Sequence, residues 1–426
     1  MNVSKNRVSI GAVFSVDVLR PAIGGDVIGR LPDGRIVFVR GAAPSDRIAV
    51  EITEVKKRFA KGKIIKRTPG DSAVEPFCTA FEECGGCPWQ AIPIATQHVS
   101  LEAELARRVD RLQRYGKMDV AMGPIKRFSN RAWRSTARVH CRDGVVGFMG
   151  YKSHRVIGLE TCPVLTPMVD RLFGALKSCV ESLSVRTPFV ARLTASLGKD
   201  SGTVAIDSKV SDKALVILAE ALFQIGHVHG VHLGMPNRVV ELGECSNMMD
   251  PGLAVYPAHG FVQAHQQGNR ELVDHVVGLI GPDAAVLELF CGAGNFTFRL
   301  LEQGCRVHAI ELDASSVERL KQRAAQLGFA DQLSARVGNA DTLGESLSAD
   351  VLLVDPPRTG FKNIGAAAQA AGARLLVYVS CDLNTLFRDL ENLVIEGWRL
   401  ESLDGFDLFP HTGHLETVAV LVRSSA

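Results

Sequence analysis

Cys381 stands in the run Val377-Tyr-Val-Ser-Cys381-Asp-Leu-Asn-Thr385, at the end of an apolar, strand-like segment and just before a helical pattern over 385–394. A helix N-terminus stabilises a thiolate, so a cysteine there is a candidate nucleophile. Alone, such a cysteine is more simply packing; its neighbours argue for chemistry. Asp355-Pro-Pro-Arg358 follows the apolar run Val351–Val354, where the carboxyl edge of an open α/β sheet builds its site. Two prolines stiffen that loop and keep Asp355 from starting a helix. Glu288-Leu-Phe-Cys-Gly-Ala-Gly-Asn295 puts Gly292 and Gly294 between a strand and a helix, where a ligand can approach the backbone closely. A nicotinamide-binding loop wants a third glycine at position 297, and Thr297 stands there. Glu288 suits a cationic ligand better than a pyrophosphate. Glu311 ends the next strand-like run, where a carboxylate accepts from ribose hydroxyls. Together these favour S-adenosylmethionine over NAD.

Two further clusters carry reactive side chains. Phe409-Pro-His411-Thr-Gly-His414-Leu-Glu416 reads as a polar loop before a strand. Its spacing matches no usual helical metal motif, and a carboxylate proton acceptor at Glu416 is the better functional reading. Cys78-x5-Cys84-Gly-Gly-Cys87-Pro gathers three thiols, with Cys162-Pro163 a candidate fourth ligand. Thiols so close, with glycines between them, suit an iron–sulfur cluster or zinc. The sequence leans only slightly to iron.

These groups need a frame. The chain has 426 residues, 46% hydrophobic and 22% charged, which is a globular composition of two to four domains. It excludes a mainly disordered chain, a collagen and a coiled coil. No run of about 18 uncharged apolar residues is present, so no membrane span is expected. Met-Asn-Val-Ser-Lys-Asn-Arg lacks the apolar core of a signal peptide, so the expected location is the cytoplasm, where the ten cysteines would stay reduced. Residues 1–70 hold 14 Lys/Arg against 6 Asp/Glu, inside a chain of net charge +2. Such asymmetry points to a basic module that meets a polyanion.

Residues 1–67 show five short strands with turn signals, a small closed barrel of the oligonucleotide-binding kind. Pro69-Gly-Asp-Ser72 reads as a linker. Residues 73–262 are mixed, with helical patterns over 99–115, 168–183 and 212–223, and an alternating segment over 131–141 that sets Arg131, Arg134 and Arg138 beside Trp133. Residues 263–426 alternate strand and helix, a doubly wound α/β pattern with a final antiparallel pair over 398–403 and 417–422.

The chain resembles the bacterial RNA uracil-5-methyltransferases, particularly the iron–sulfur enzymes that act on 23S ribosomal RNA. The likeness spans nearly the whole chain. It implies a TRAM barrel over 1–67, a mixed α/β central RNA-binding domain over 68–262, and a Rossmann-like class I methyltransferase domain over 263–426. It implies a 4Fe-4S cluster on Cys78, Cys84, Cys87 and Cys162, with a role in holding the central domain's fold. Phe261-Val-Gln263 looks like the family's cofactor-contacting strand. Contacts to S-adenosylmethionine are implied at Gln263, Phe290, Asn295, Glu311, Asn339 and Asp355, with Asp341 competing for the role of Asn339. Cys381 becomes the nucleophile and Glu416 the general base. Three residues depart from the family pattern: His265 for Asn, Leu383 for Pro and Glu288 for Asp. The implied reaction is methyl transfer to C5 of a uridine through a covalent Cys–C6 adduct. It requires a structured RNA that yields a flipped-out base, and the expected enzyme is a monomer. A transfer RNA enzyme is the near alternative. A non-catalytic iron–sulfur RNA-binding scaffold is the alternative of another class, and it leaves Cys381 and Glu416 unexplained. So does an enzyme methylating an exocyclic amine, which needs no nucleophile.

Overall fold

Alternation at the start of the chain is strict. In Val13–Pro21, Phe14, Val16 and Val18 are buried while their neighbours face out. Ile36–Val39 and the first part of Arg47–Val55 repeat this alternation, Val27–Arg30 buries three successive residues and Phe59–Thr68 buries Ala60 alone, and the five strands close into a barrel, so no strand edge is left unpaired. The computed structural model describes residues 8–116, 119–249, 253–342 and 347–423. The chain divides into two units: Met1–Arg107 with Met149–Ile157 and Phe409–His414, and Arg108–Phe148 with Gly158–Leu408 and Leu415–Ala426.

In the first unit, buried Asp46 accepts from the amides of Ala43 and Gly70 and pairs with Arg67 at 2.6 Å. This knot ties residues 69–72 to the barrel, and Ser72 Oγ adds a bond to the Pro44 carbonyl. The expected linker is therefore a docked segment. Most acids of the barrel are similarly engaged: Asp17 with Arg47, Asp33 with Arg35, and Glu54 with Lys56 and Lys61.

The second unit holds an eight-stranded sheet. Its order is Leu333–Val337, Arg306–Glu311, Ala285–Leu289, Val351–Val354, Leu375–Ser380, Glu416–Arg423, Trp398–Phe406 and Ala121–Met122. The first five strands are parallel; Glu416–Arg423 runs antiparallel to both its neighbours. The chain builds outward from Ala285–Leu289, then returns to set Val351–Val354 on its other side. That reversal opens a crevice at the carboxyl ends of these two strands. Buried Val, Leu and Ile on both faces explain the uninterrupted apolar runs. The short strand Ala121–Met122 comes from outside 263–426 and carries no apolar run to mark it.

The same unit contains a seven-stranded sheet in which Arg238–Gly243, Val228–Met235, Gly202–Asp207, Phe189–Ala195 and Thr136–Arg142 are neighbours in that order. Helices Pro167–Ser182 and Lys213–Phe223 cover its apolar face. Leu172 lies so close to Gly202 that a Cβ there would stand 2.7 Å from it.

Candidate active site

The loop after Ala285–Leu289 makes a tight turn. Phe290, Gly292 and Gly294 all have positive φ, and only glycine adopts this region freely. A Cβ at Gly294 would press on Leu320 and Phe298 at 2.7–2.8 Å, so glycine is also needed for packing. A Cβ at Gly292 would meet nothing within 4 Å, which leaves open space beside it. Glu311 reaches across: one oxygen accepts from the Gly292 amide at 3.0 Å, the other from the amides of Leu312 and Asp313. The Phe290 ring meets Phe361 edge-on. Asn295 exchanges side-chain hydrogen bonds with buried Asn269 and receives one from Tyr256. Sequence reasoning missed Asn269 and Tyr256, because neither lies in a motif. Asn339 is exposed, and its side-chain oxygen accepts from the Asp341 amide in the turn Ala340–Thr342. Phe261–Gln263 is an irregular segment rather than a strand.

Glu288 lies buried under this loop. Its carboxylate accepts from Thr297 Oγ1 at 2.6 Å, while the second oxygen has no partner. Burial, with Asp355 and Glu311 nearby, pushes its carboxyl up to about 8. Thr297, the residue that breaks the nicotinamide pattern, is thus the partner of Glu288.

Cys381, Asp355 and Glu416 come together at the carboxyl edge of the sheet. Cys381 follows the strand Leu375–Ser380, Asp355 follows its neighbour Val351–Val354, and Glu416 opens the antiparallel strand on the other side. Glu416 is buried, and it is the first strand residue rather than part of a polar loop. Gln263 faces it, yet neither carboxylate oxygen has a hydrogen bond of ordinary geometry. Burial and Asp355 push the Glu416 carboxyl well up. Burial pushes Asp355 up to about 7. Cys381 is pushed up to about 12 by burial, then by Glu416 and Asp355, with Arg358 opposing.

This corrects one expectation. The helix Leu383–Ile395 does begin just after Cys381, but Asp382 caps it and accepts from the amides of Asn384 and Thr385. Those donors are taken by a carboxylate, and the two buried acids outweigh the helix end. The thiol is therefore held neutral.

Helix starts also account for two departures from the family pattern. His265 caps Gln266–Ile280, its Nδ1 accepting from the Gly268 amide while Nε2 bonds the Ser129 carbonyl. That is the work of a side-chain oxygen at an N-cap. Burial lowers the pKa of this ring, which keeps it neutral and able to accept. Leu383 is the first helical residue, where proline is tolerated but not needed.

The remaining candidates are placed elsewhere. His411, in the first unit, has its amide on Gln97 Oε1, its carbonyl on the Trp89 amide and its ring against Phe77. It is committed to packing. Cys78, Cys84 and Cys87 lie on one loop of that unit, each partly exposed. The Cys84 amide donates to the Ala80 carbonyl, and a Cβ at Gly85 would crowd the backbone of Met149 and Tyr151 at 3.2–3.3 Å. Cys162 belongs to the second unit, where its amide donates to Asp170. Among the described residues no three His, Cys, Asp or Glu stand in a metal-holding geometry.

A glycine turn at a sheet's switch point, with acidic residues along its carboxyl edge, defines the class I methyltransferase fold. Residues 280–387 match a methyltransferase domain model, and residues 7–65 match the TRAM domain. Over 424 residues the chain is 31% identical to the 23S rRNA (uracil(1939)-C(5))-methyltransferase RlmD of Tolumonas auensis, covering 93% of each. It is 30% identical to the enzyme of the same name from Aeromonas salmonicida over 436 residues, covering 96% of this chain and 95% of the relative. The chain belongs to the RNA uracil-C5-methyltransferase family. In architecture it is similar to Pyrococcus abyssi tRNA (uracil-54, C5)-methyltransferase, solved with S-adenosyl-L-homocysteine, at a TM-score of 0.73 and 20% identity over 96% of this chain and 99% of that one. No helix among the described residues is long and apolar enough to cross a membrane.

Proposed function

We propose that this protein methylates C5 of a uridine in 23S ribosomal RNA, with Cys381 as nucleophile and Glu416 as base. The observation that carries the reading is the meeting of one thiol and two buried, unneutralised carboxyls at one sheet edge. C5 of uracil is a weak nucleophile. As the Cys381 thiol, neutral in the free protein, passes its proton to a carboxylate of this edge, its sulfur adds to C6; the new C–S bond moves the ring's electrons to an enolate, which makes C5 nucleophilic. S-adenosylmethionine, when bound, supplies an electrophilic methyl on a positively charged sulfur. Glu416 then takes the C5 proton, the ring double bond re-forms, and the C–S bond breaks to release Cys381. The open space at Gly292, the Glu311 carboxylate and the acids Asp355 and Glu288 suit a cationic nucleoside. We assign its contacts to Gln263, Phe290, Asn295, Glu311 and Asp355, with Asn339 at the rim.

The barrel is the first RNA-binding module in this reading, and the target base leaves its stack to reach the crevice. The four cysteines are read as ligands of a 4Fe-4S cluster, on the chemistry of the donor set alone. Iron and sulfide in anaerobically purified protein would support that; zinc without iron would contradict it.

The test of function is nucleoside analysis of 23S and transfer RNA transcripts after incubation with the protein and S-adenosylmethionine. The expected product is 5-methyluridine in 23S rRNA. Methylation of transfer RNA alone, or of an exocyclic amine, overturns the assignment.

A further inference from the structure

The seven-stranded sheet has one apolar face and one that is not. Arg138 and Arg192 are directly opposed on neighbouring antiparallel strands, so both side chains leave the same face. One row away on that face, the hydroxyls of Thr136 and Thr194 bond each other at 2.9 Å, which confirms the facing. Like charges directly opposite destabilise a sheet. Neither guanidinium has an ion pair among the described residues. Arg192 is half-buried, and its pKa is lowered by burial, by Arg138 and by Arg134, with only Asp207 opposing. In the next row, burial, Arg138 and Arg142 lower the pKa of His140.

The strand that carries Arg138 is tied at its start to the segment that leads into the active site. Arg134, whose guanidinium donates to the Thr136 carbonyl, bridges to His265 by backbone pairing. The Ser135 amide and hydroxyl both bond the Ala264 carbonyl. Gln263, which faces Glu416, is the next residue along. A fold that keeps a cationic row without an ion pair on a strand tied to its reaction centre is arranged for an anion that arrives with the substrate.

We propose that Arg138 and Arg192 form a phosphate-binding row that holds the RNA backbone flanking the target uridine. The inference rests on the RNA-methyltransferase reading only in taking RNA as the substrate. Guanidiniums suit the role, since they are weakly hydrated and fork onto phosphate oxygens. Sequence reasoning placed Arg138 but had no means to find Arg192, which lies on a strand more than fifty residues on, outside any motif.

The experiment is equilibrium binding of a 23S rRNA transcript across a salt series, for the full-length protein and the double variant Arg138→Gln/Arg192→Gln. Loss of two phosphate contacts should flatten the log–log salt slope by about 1.4–1.8. The Arg138→Lys/Arg192→Lys variant should keep most of the slope, because point charge is retained. S-adenosylmethionine affinity should be unchanged. The thermal midpoint of the free glutamine variant should hold or rise, because a repulsion has been removed. An unchanged slope, a lost cofactor affinity or a fall in midpoint overturns the proposal. Binding needs no turnover, so a flattened slope in a protein that fails to methylate 23S rRNA would count against the reaction and not against this surface.

Discussion

The barrel and the larger unit treat charge in opposite ways. The barrel carries the chain's excess of cations, yet Arg35, Arg47, Lys56, Lys61 and Arg67 all sit on acids of the same barrel. The larger unit leaves titratable groups without an opposite partner at two places. One is the sheet edge, where Glu288, Asp355 and Glu416 are enclosed without a cation at ion-pair distance among the described residues. The other is the sheet face with Arg138 opposite Arg192. Desolvated, unpaired charge is costly. Where a fold keeps it, a ligand of opposite sign is the natural partner. Net charge thus points to a polyanion, while titratable groups buried without an opposite partner point to the places where ligands bind.

Cys381→Ala is the largest expected break. It removes the thiol at the acidic edge and should take 5-methyluridine formation to background, while S-adenosylmethionine binding by calorimetry stays near that of the parent. Substantial turnover would show that the edge works without covalent chemistry.

Next comes the paired charge of the barrel. Asp46→Ala leaves Arg67 without its partner and two amides without an acceptor. It should cost about 2–4 kcal/mol of stability, read by denaturant unfolding, the lower part of the range because Arg67 is partly exposed. The arginine row should show no such loss. Equal destabilisation of both regions would erase the contrast.

Glu288→Gln probes the acidic edge without touching the thiol. The folded protein holds this proton up to about pH 8, whereas an unfolded chain releases it near the ordinary value of about 4.5. Between those values the folded state binds more protons, so stability falls as pH rises through the window. The variant should melt higher than the parent above pH 8, with a flatter dependence of midpoint on pH. An unchanged or steeper dependence would show that Glu288 is ionised in the fold.

The smallest effect is expected from Lys57→Ala/Arg58→Ala on the barrel, two exposed cations without an ion pair among the described residues. The salt slope for RNA should change by less than one contact each, below about 0.7 per residue. A larger change than that from the arginine row would return the main RNA footprint to the barrel.

The sequence showed much of this and missed a definable part. The barrel strands were legible because short runs that alternate or are rich in Val and Ile lie between turn residues. The five parallel strands differ more. Val351–Val354 and Leu375–Ser380 announce themselves as apolar runs, whereas Leu333–Val337 lies at the sheet edge with exposed Ser334, Arg336 and Val337 and reads as nothing. Cys381, Asp355, Glu416 and the glycine turn were found because motif order brings them to one edge. What the sequence could not show is environment. The position of Cys381 before a helix suggested a thiolate, but the competing cap of Asp382 and two buried acids reverse the sign. Cross-strand register is likewise invisible in the chain, and register alone sets Arg192 against Arg138.

The covalent mechanism is tested most directly by Glu416→Gln with 23S rRNA and S-adenosylmethionine. Addition and methyl transfer remain open to this variant, but the C5 proton has no acceptor and the C–S bond is not released. A slow band on a denaturing gel should accumulate. Its digest should contain the Cys381 peptide joined to a methylated uridine, and the Cys381→Ala/Glu416→Gln variant should give none. Full turnover with no adduct, or an adduct that persists without Cys381, would contradict the account.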